Sequence, residues 1–280
     1  MKNMGKPIHI AILDLYAGEV NQGIEAIAHL IHVLKEKTPS TITTTIFDVR
    51  NKCELPNLDY DIYISSGGPG SPFAQHAPWE SLYFQWINLI LDYNGTSHLP
   101  KKFVFFICHS FQMACRHFNL AALSKRNSNA FGIYPVNLTN EGINDPLFSG
   151  LAQTIQVVDS RDYQATLPNY EELKKSGSSI LAMEGNEENQ DQAIMAIRFN
   201  SYMYGTQFHP EADDQGLFNY LNRPESKQKI LQEHGQLKWD QTLSQLNDPS
   251  GIKKTYQTLL PNFLNMAISH HQKNVVEYDS

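Results

Sequence analysis

The sequence predicts an α/β fold: a mostly parallel central sheet flanked by helices, with a C-terminal helical extension. Three observations predict it. Short apolar runs alternate with longer amphipathic stretches through most of the chain, the order expected of strands joined by crossover helices. One run, Phe103–Ile107, is wholly apolar, as a strand covered on both faces must be. After about residue 212 strand signals stop and only helical spacing remains. The expected division is a main domain over residues 1–213 and a helical extension over 214–280.

Taken in order, Ile8–Leu15 reads as the first strand. Ile24–Leu34 follows with Ile24, Ile27, Ala28 and Ile31 at helical spacing. Thr41–Phe47 is β-branched and strand-like, and Tyr60–Ile64 is a third strand broken by Ser65-Ser66-Gly67-Gly68-Pro69-Gly70. Trp79–Tyr93 returns to helix, with Trp79, Tyr83, Phe84 and Trp86 read as core. Beyond Phe103–Ile107, short strands are expected at Gly132–Leu138, Thr154–Val158, Ile180–Ala182, Ala193–Phe199 and Tyr202–Phe208, the last two joined by a tight turn at Asn200-Ser201. Helices are expected at Leu217–Leu221, Lys227–His234, Lys238–Leu246 and Ile252–His271. Ser250 is the expected N-cap of the last, Pro261 is expected to kink or break it, and His270-His271 reads as its solvated end.

Composition narrows the function. At 280 residues, 41% hydrophobic and 18% charged, the chain has the make-up of a soluble globular protein with a sizeable core. A net charge of -7 and a pI near 5.9 give no reason to expect nucleic acid or an anionic membrane as partner. The longest apolar run, Phe103–Cys108, is far too short to span a bilayer, and the polar Met1–Lys6 lacks the features of a secretory signal. Three widely spaced cysteines do not make a disulfide framework, so a reducing, cytoplasmic setting is expected. Cys108, His109, Cys115 and His117 match no common zinc spacing, and no metal or cofactor is expected.

Three segments carry chemistry. In Phe103-Val-Phe-Phe-Ile-Cys108-His-Ser-Phe-Gln112 a buried strand stops at a cysteine and helical sequence begins at once, the layout of a nucleophile elbow. The helix N-terminus there would favour a thiolate. Taken alone, Cys108 reads more simply as the end of a core strand. In Tyr204-Gly-Thr-Gln-Phe-His209-Pro-Glu211, strand alternation puts His209 and Glu211 on one side, where a carboxylate can fix the imidazole tautomer and leave its other nitrogen for a thiol. Such a pair on its own is more often two polar residues exposed to solvent. The Ser66–Ser71 loop offers free backbone N–H groups; it lacks the lysine of a P-loop and the spacing of a dinucleotide site, and an oxyanion hole suits it better than phosphate binding.

In this order the three segments resemble the class I (triad-type) glutamine amidotransferases, of the GMP-synthase-glutaminase type, over roughly residues 7 to 212. Gln207-Phe208-His209-Pro210-Glu211 matches that family's late motif completely, and Ser66–Gly70 its glycine loop. The resemblance implies a flavodoxin-like sheet and a triad of Cys108, His209 and Glu211. It implies an oxyanion hole from the N–H groups of Gly68 and His109, with Gly70 and Gln112 as substrate contacts; Arg161 and Asp162 are further candidate contacts of this chain. The implied reaction is hydrolysis of the glutamine side-chain amide through a γ-glutamyl thioester on Cys108, supplying ammonia to a synthetase on a separate chain. Two alternatives accompany it: a hydrolase of other γ-glutamyl compounds that needs no partner, and a non-catalytic regulatory subunit of the same fold.

The chain departs from the family pattern where glycine usually flanks the elbow cysteine two positions away on each side. Here those residues are Phe106, which implies local repacking, and Ser110, which is small enough to fit. Where the family commonly carries a His-Ser-Leu-like segment, this chain has Ser160-Arg161-Asp162. Arg161 there either clamps a substrate carboxylate or points into solvent.

Overall fold

The computed structural model describes residues 6–19, 22–74, 76–185, 192–246 and 251–276. The expected N-cap Ser250 lies outside them. Strands β1 (Ile8–Asp14), β2 (Ile42–Asp48), β3 (Ile62–Ser65) and β4 (Phe103–Ile107) run parallel, with β9 (Met203–Thr206) parallel beside β4. Strands β5 (Ala121–Leu138), β6 (Thr154–Pro168), β7 (Ser179–Glu184) and β8 (Ile194–Asn200) extend the same sheet in antiparallel pairs. The order is β2-β1-β3-β4-β9-β8-β7-β5-β6. Its first five members follow the doubly wound pattern whose ligand site lies at the carboxyl ends of the strands. The sheet is therefore parallel in the half that bears the motifs and antiparallel beyond it.

Alternation along each strand divides the core in two. On β1, Ile8, Ile10 and Ile12 face one layer and Ala11 and Leu13 the other; on β4, Phe103, Phe105 and Ile107 face one and Val104 and Phe106 the other. Helix α1 (Gly23–Lys37) covers the first face with Ile27, Leu30, Ile31 and Leu34. Helix α3 (Pro78–Thr96) covers the second, burying Trp79, Tyr83 and Trp86 as expected, while Phe84 is half-buried and stacks on His117. A one-turn α2 (Val49–Lys52) packs beside it, capped by the Asp48 carboxylate, which accepts from Asn51 N.

Three expectations are corrected. Strands β5 and β6 extend well past Gly132–Leu138 and Thr154–Val158 into a long hairpin, α5 (Asn140–Asn144) and a 3-10 turn lying between them. The polar stretch Ser124–Asn129 hid this, because much of it lies exposed on the ribbon and buries little apolar surface. The β8–β9 turn falls at Ser201-Tyr202, one residue later than expected. The last helix, α9 (Ile252–Val276), continues through Pro261 without a break, and His270-His271 lie within it and do not form its solvated end. His271 is buried against Asp61, with Nδ1 3.5 Å from the carboxylate, and burial lowers its pKa to about 4, so it is neutral. His270 accepts a hydrogen bond from Lys101 N at 3.1 Å and its ring lies against Phe103.

The helices after residue 213 do two jobs. Helix α7 (Asp214–Asn222) and α8 (Pro224–Leu246), which is interrupted at Gly235 (φ 79°), pack Leu217, Leu221 and Ile230 onto Phe131, Ile133 and Val158 of the β5–β6 hairpin. Helix α9 returns to the sheet and shares the α1 face, where Phe263 meets Phe103, Phe105 and Tyr204 edge-on. Replacing the fully buried Phe263 by Ala is expected to cost ~3–5 kcal/mol. Leu237→Ala, at a side chain 72% exposed, is expected to cost under about 0.5 kcal/mol. Urea unfolding of both variants checks this, and equal midpoints would show that α9 does not belong to the core.

Candidate active site

β4 ends at Ile107 and α4 (His109–His117) starts at His109, so Cys108 alone makes the turn. Its backbone takes φ 49° and ψ -99°, a conformation that costs an L-residue of order 1–3 kcal/mol unless its surroundings hold it. Ser110 supplies part of that hold. Its hydroxyl accepts from Ile107 N at 2.8 Å and donates to Ser65 O at 2.8 Å, with Ile107 O at 3.0 Å sharing the hydrogen, which ties the elbow to the end of β3. Phe106 is accommodated from the other side. It pairs with Gly205 on β9, where a side chain would lie 2.9 Å from Phe106 O and 3.1 Å from its Cβ. The bulk expected to force repacking is thus met by a glycine across the ladder.

The glycine loop is built against β1. Ser66 Oγ accepts from Leu15 N at 2.9 Å, Arg50 donates to Pro69 O at 2.6 Å, and a side chain on Gly68 would collide with the Leu15 carbonyl. Gly68, Gly70 and His109 line one cavity of about 440 Å³ together with Cys108 and His209. The His109 side chain is buried, and burial with the nearby Arg50 and Arg116 cations lowers its pKa to about 3.

After β9 the chain crosses to β6, where His209 N donates to Val158 O at 2.9 Å. That bridge points the imidazole at Cys108. On its other side, His209 Nδ1 lies 2.8 Å from Glu211 Oε1, a buried carboxylate. Burial pulls the imidazole pKa down, but the charges of Glu211 and Cys108 and hydrogen bonds to both side chains outweigh it, and the net shift is well above the ordinary value. The Cys108 thiol also sits 3.8 Å from Ser160 O and receives Gln207 Nε2 at 3.8 Å. A thiol, an imidazole and a carboxylate in series at a strand-to-helix elbow can perform nucleophilic acyl transfer.

Other expected contacts fall differently. Gln112 lines the cavity, but its Nε2 donates to Tyr163 O at 2.8 Å and Gln207 Oε1 at 3.0 Å, so it steadies Gln207 beneath the thiol. Arg161 does not point into solvent. It is buried, with Nε 3.2 Å from Asp159, Nη2 3.0 Å from Glu184 and Nη1 3.0 Å from Met195 Sδ, so the protein's own carboxylates already engage it. Asp162 is exposed at the cavity rim. Cys115 is buried in α4 and burial raises its pKa. No group of three or more potential metal ligands occurs among the described residues. No helix among them is long and apolar enough to cross a membrane.

Sequence reasoning missed two parts of the cavity. Tyr16 lines it from the end of β1, and Lys229, Glu233 and His234 of α8 line its far end. Neither carries a motif. A tyrosine after a strand and a polar helix face are ordinary features until the fold brings them to the thiol.

A thiol, an imidazole and a carboxylate thus meet at a strand-to-helix elbow of a doubly wound sheet. The chain belongs to the glutamine amidotransferase class-I family, whose profile matches residues 20–216. It is 26% identical over 184 residues to the GMP synthase [glutamine-hydrolyzing] of Thermosipho africanus, a match covering 64% of this chain and 30% of that protein. The chain thus spans under a third of that relative's length. Its fold is similar to a glutamine amidotransferase of Thermotoga maritima (TM-score 0.67, 15% identity, 93% of this chain and 98% of that one). It is also similar to the glutaminase domain of Trypanosoma brucei CTPS, solved with bound acivicin (TM-score 0.56, 13% identity, 88% and 97%). The first of these alignments covers enough of the chain to extend into the C-terminal helices.

The raised imidazole gives a test with a definite sign. By NMR, His209 is expected to titrate above the ordinary ~6.5, and Glu211→Gln is expected to bring the midpoint down. Because the folded value lies above the unfolded one, the pair's contribution to stability is complete below pH ~6.5 and is lost as pH rises through the raised value. A wild-type midpoint at or below ~6.5 would contradict the arrangement.

Proposed function

We propose that this chain is a glutaminase of the amidotransferase type, in which Cys108, His209 and Glu211 hydrolyse the glutamine side-chain amide. The observation that carries the reading is the His209–Glu211 pair at 2.8 Å, with the Cys108 thiol in hydrogen-bonding contact with the same imidazole. His209 takes the Cys108 thiol proton as the sulfur attacks the amide carbon, and the N–H groups of Gly68 and His109 hold the oxyanion. The imidazolium of His209 gives its proton to the leaving nitrogen, the C–N bond breaks and ammonia departs. Water then attacks the γ-glutamyl thioester and gives a proton to His209. Glutamate leaves as the C–S bond breaks and its electrons return to sulfur.

On this reading the ammonia serves a synthetase on another chain in a cytoplasmic setting. Membership of the amidotransferase family and similarity to a glutamine-hydrolysing GMP synthase support glutamine as the source of the ammonia. A second reading, hydrolysis of larger γ-glutamyl compounds without a partner, is favoured by one feature: the cavity continues past the thiol to Lys229, Glu233 and His234.

Ammonia release from glutamine is expected for the wild type. Cys108→Ser and His209→Asn are expected to lose at least about a hundredfold in kcat, as removal of a covalent nucleophile or its base does. Equal release by wild type and Cys108→Ser would sink the reading. Turnover of γ-glutamyl peptides with none of glutamine would select the second.

A further inference from the structure

Tyr16 stands two residues past the end of β1, immediately before two left-handed positions, Ala17 (φ 57°) and Gly18 (φ 79°). It lines the cavity together with Cys108 and His209. Two glycines clear the space its hydroxyl occupies. A side chain on Gly23, the first residue of α1, would meet Tyr16 Oη at 2.5 Å and the ring carbons beside it at 3.1 and 3.2 Å. A side chain on Gly67 would meet Tyr16 Oη at 3.2 Å, His209 Cε1 at 3.0 Å and Cys108 Cβ at 3.6 Å.

Neither glycine has a positive φ, so the backbone does not require glycine at either place. What each provides is room. The phenol oxygen, the imidazole edge and the carbon bearing the thiol therefore surround one point within 3.6 Å. Burial, then the negative charges of Glu211, Cys108 and Asp14, raise the phenol pKa well above its ordinary value. The group is a neutral hydroxyl, one donor and two acceptor lone pairs, throughout the working range.

We propose that Tyr16 is a catalytic residue of the amide hydrolysis, its hydroxyl hydrogen-bonding the nitrogen that leaves the reacting carbon and then the water that replaces it. The proposal rests on the glutaminase reading above. Its placement follows from His209. The imidazole delivers its proton to the leaving nitrogen, and Tyr16 Oη flanks the edge of that same ring on the glycine-loop side.

During acylation sulfur bonds to carbon, the C–N bond breaks and the imidazolium proton passes to nitrogen, while Tyr16 Oη accepts a hydrogen bond from a remaining N–H. During deacylation the water proton goes to His209, the new C–O bond forms and the C–S bond breaks, while Tyr16 aims the water. The phenol neither gains nor loses its proton in either half.

Tyr16→Phe tests this, because it keeps the ring between Gly23 and Gly67 and removes only the oxygen. With glutamine as substrate, kcat is expected to fall about tenfold, equivalent to ~1.4 kcal/mol. KM is expected to stay within about twofold, and Tm to be unchanged. A kcat within about twofold of wild type, or a loss seen only in KM, overturns the proposal while leaving the glutaminase reading intact. A fall in Tm that accompanies the loss would assign Tyr16 a structural role and likewise overturn it. A wild-type chain that releases no more ammonia than Cys108→Ser defeats the parent reading, and the proposal with it.

Discussion

At φ 49° and ψ -99°, Cys108 holds a backbone conformation that an isolated residue leaves at once, and the packing around it has to keep it there. The constraint propagates outward. Ser110 closes hydrogen bonds on both the strand and the neighbouring β3, and Gly205 gives up its side chain so that Phe106 fits across the ladder. The glycine loop is pinned by Ser66 and Arg50, so its N–H groups lie beside the elbow. The late segment is fixed by the bridge from His209 to Val158. Each tether is short and local, and together they leave one thiol facing one imidazole.

The antiparallel half of the sheet shapes the cavity and leaves the elbow itself to the parallel half. The β5–β6 hairpin supplies Ser160 at the thiol and the buried Asp159–Arg161 pair, which Glu184 of β7 joins. Burial holds the Asp159 pKa above its ordinary value against the opposing pull of the Arg161, His209 and Arg126 charges. Helices α7 and α8 pack on this hairpin and wall the far end of the cavity, whereas α9 crosses to the opposite side and completes the core beneath β4. What composition marks as one extension is, in space, one wall of the cavity and one layer of the core.

Much of this was legible in the sequence because it rests on local rules. The continuous apolar runs of β1 and β4, the glycine loop after β3, the strand-to-helix switch at Cys108 and the His–x–Glu spacing all follow from residues close in the chain. The split of α8 at Gly235 also fell where the helical spacing lapsed. The rest depends on contacts between distant residues. The length of the β5–β6 ribbon was hidden by the polar stretch around an irregularity in its register between Lys125 and Ala130. Burial of His271 and continuity of α9 through Pro261 come from packing against β4, which no local pattern encodes. Arg161 was readable as a charge beside the pocket, but its partners lie at Glu184 and Asp159, one of them on another strand. Tyr16 became visible only when Gly23 and Gly67 were seen to make way for it.

The central claim is a covalent intermediate on Cys108. Its most direct test is mass spectrometry of the acid-quenched chain during exposure to glutamine, followed by peptide mapping. A single γ-glutamyl group on the peptide spanning Phe103 to Arg116, absent from Cys108→Ser, is the predicted result. Ammonia release with the glutamyl group on another residue, or with no adduct under conditions that trap thioesters, would contradict the account.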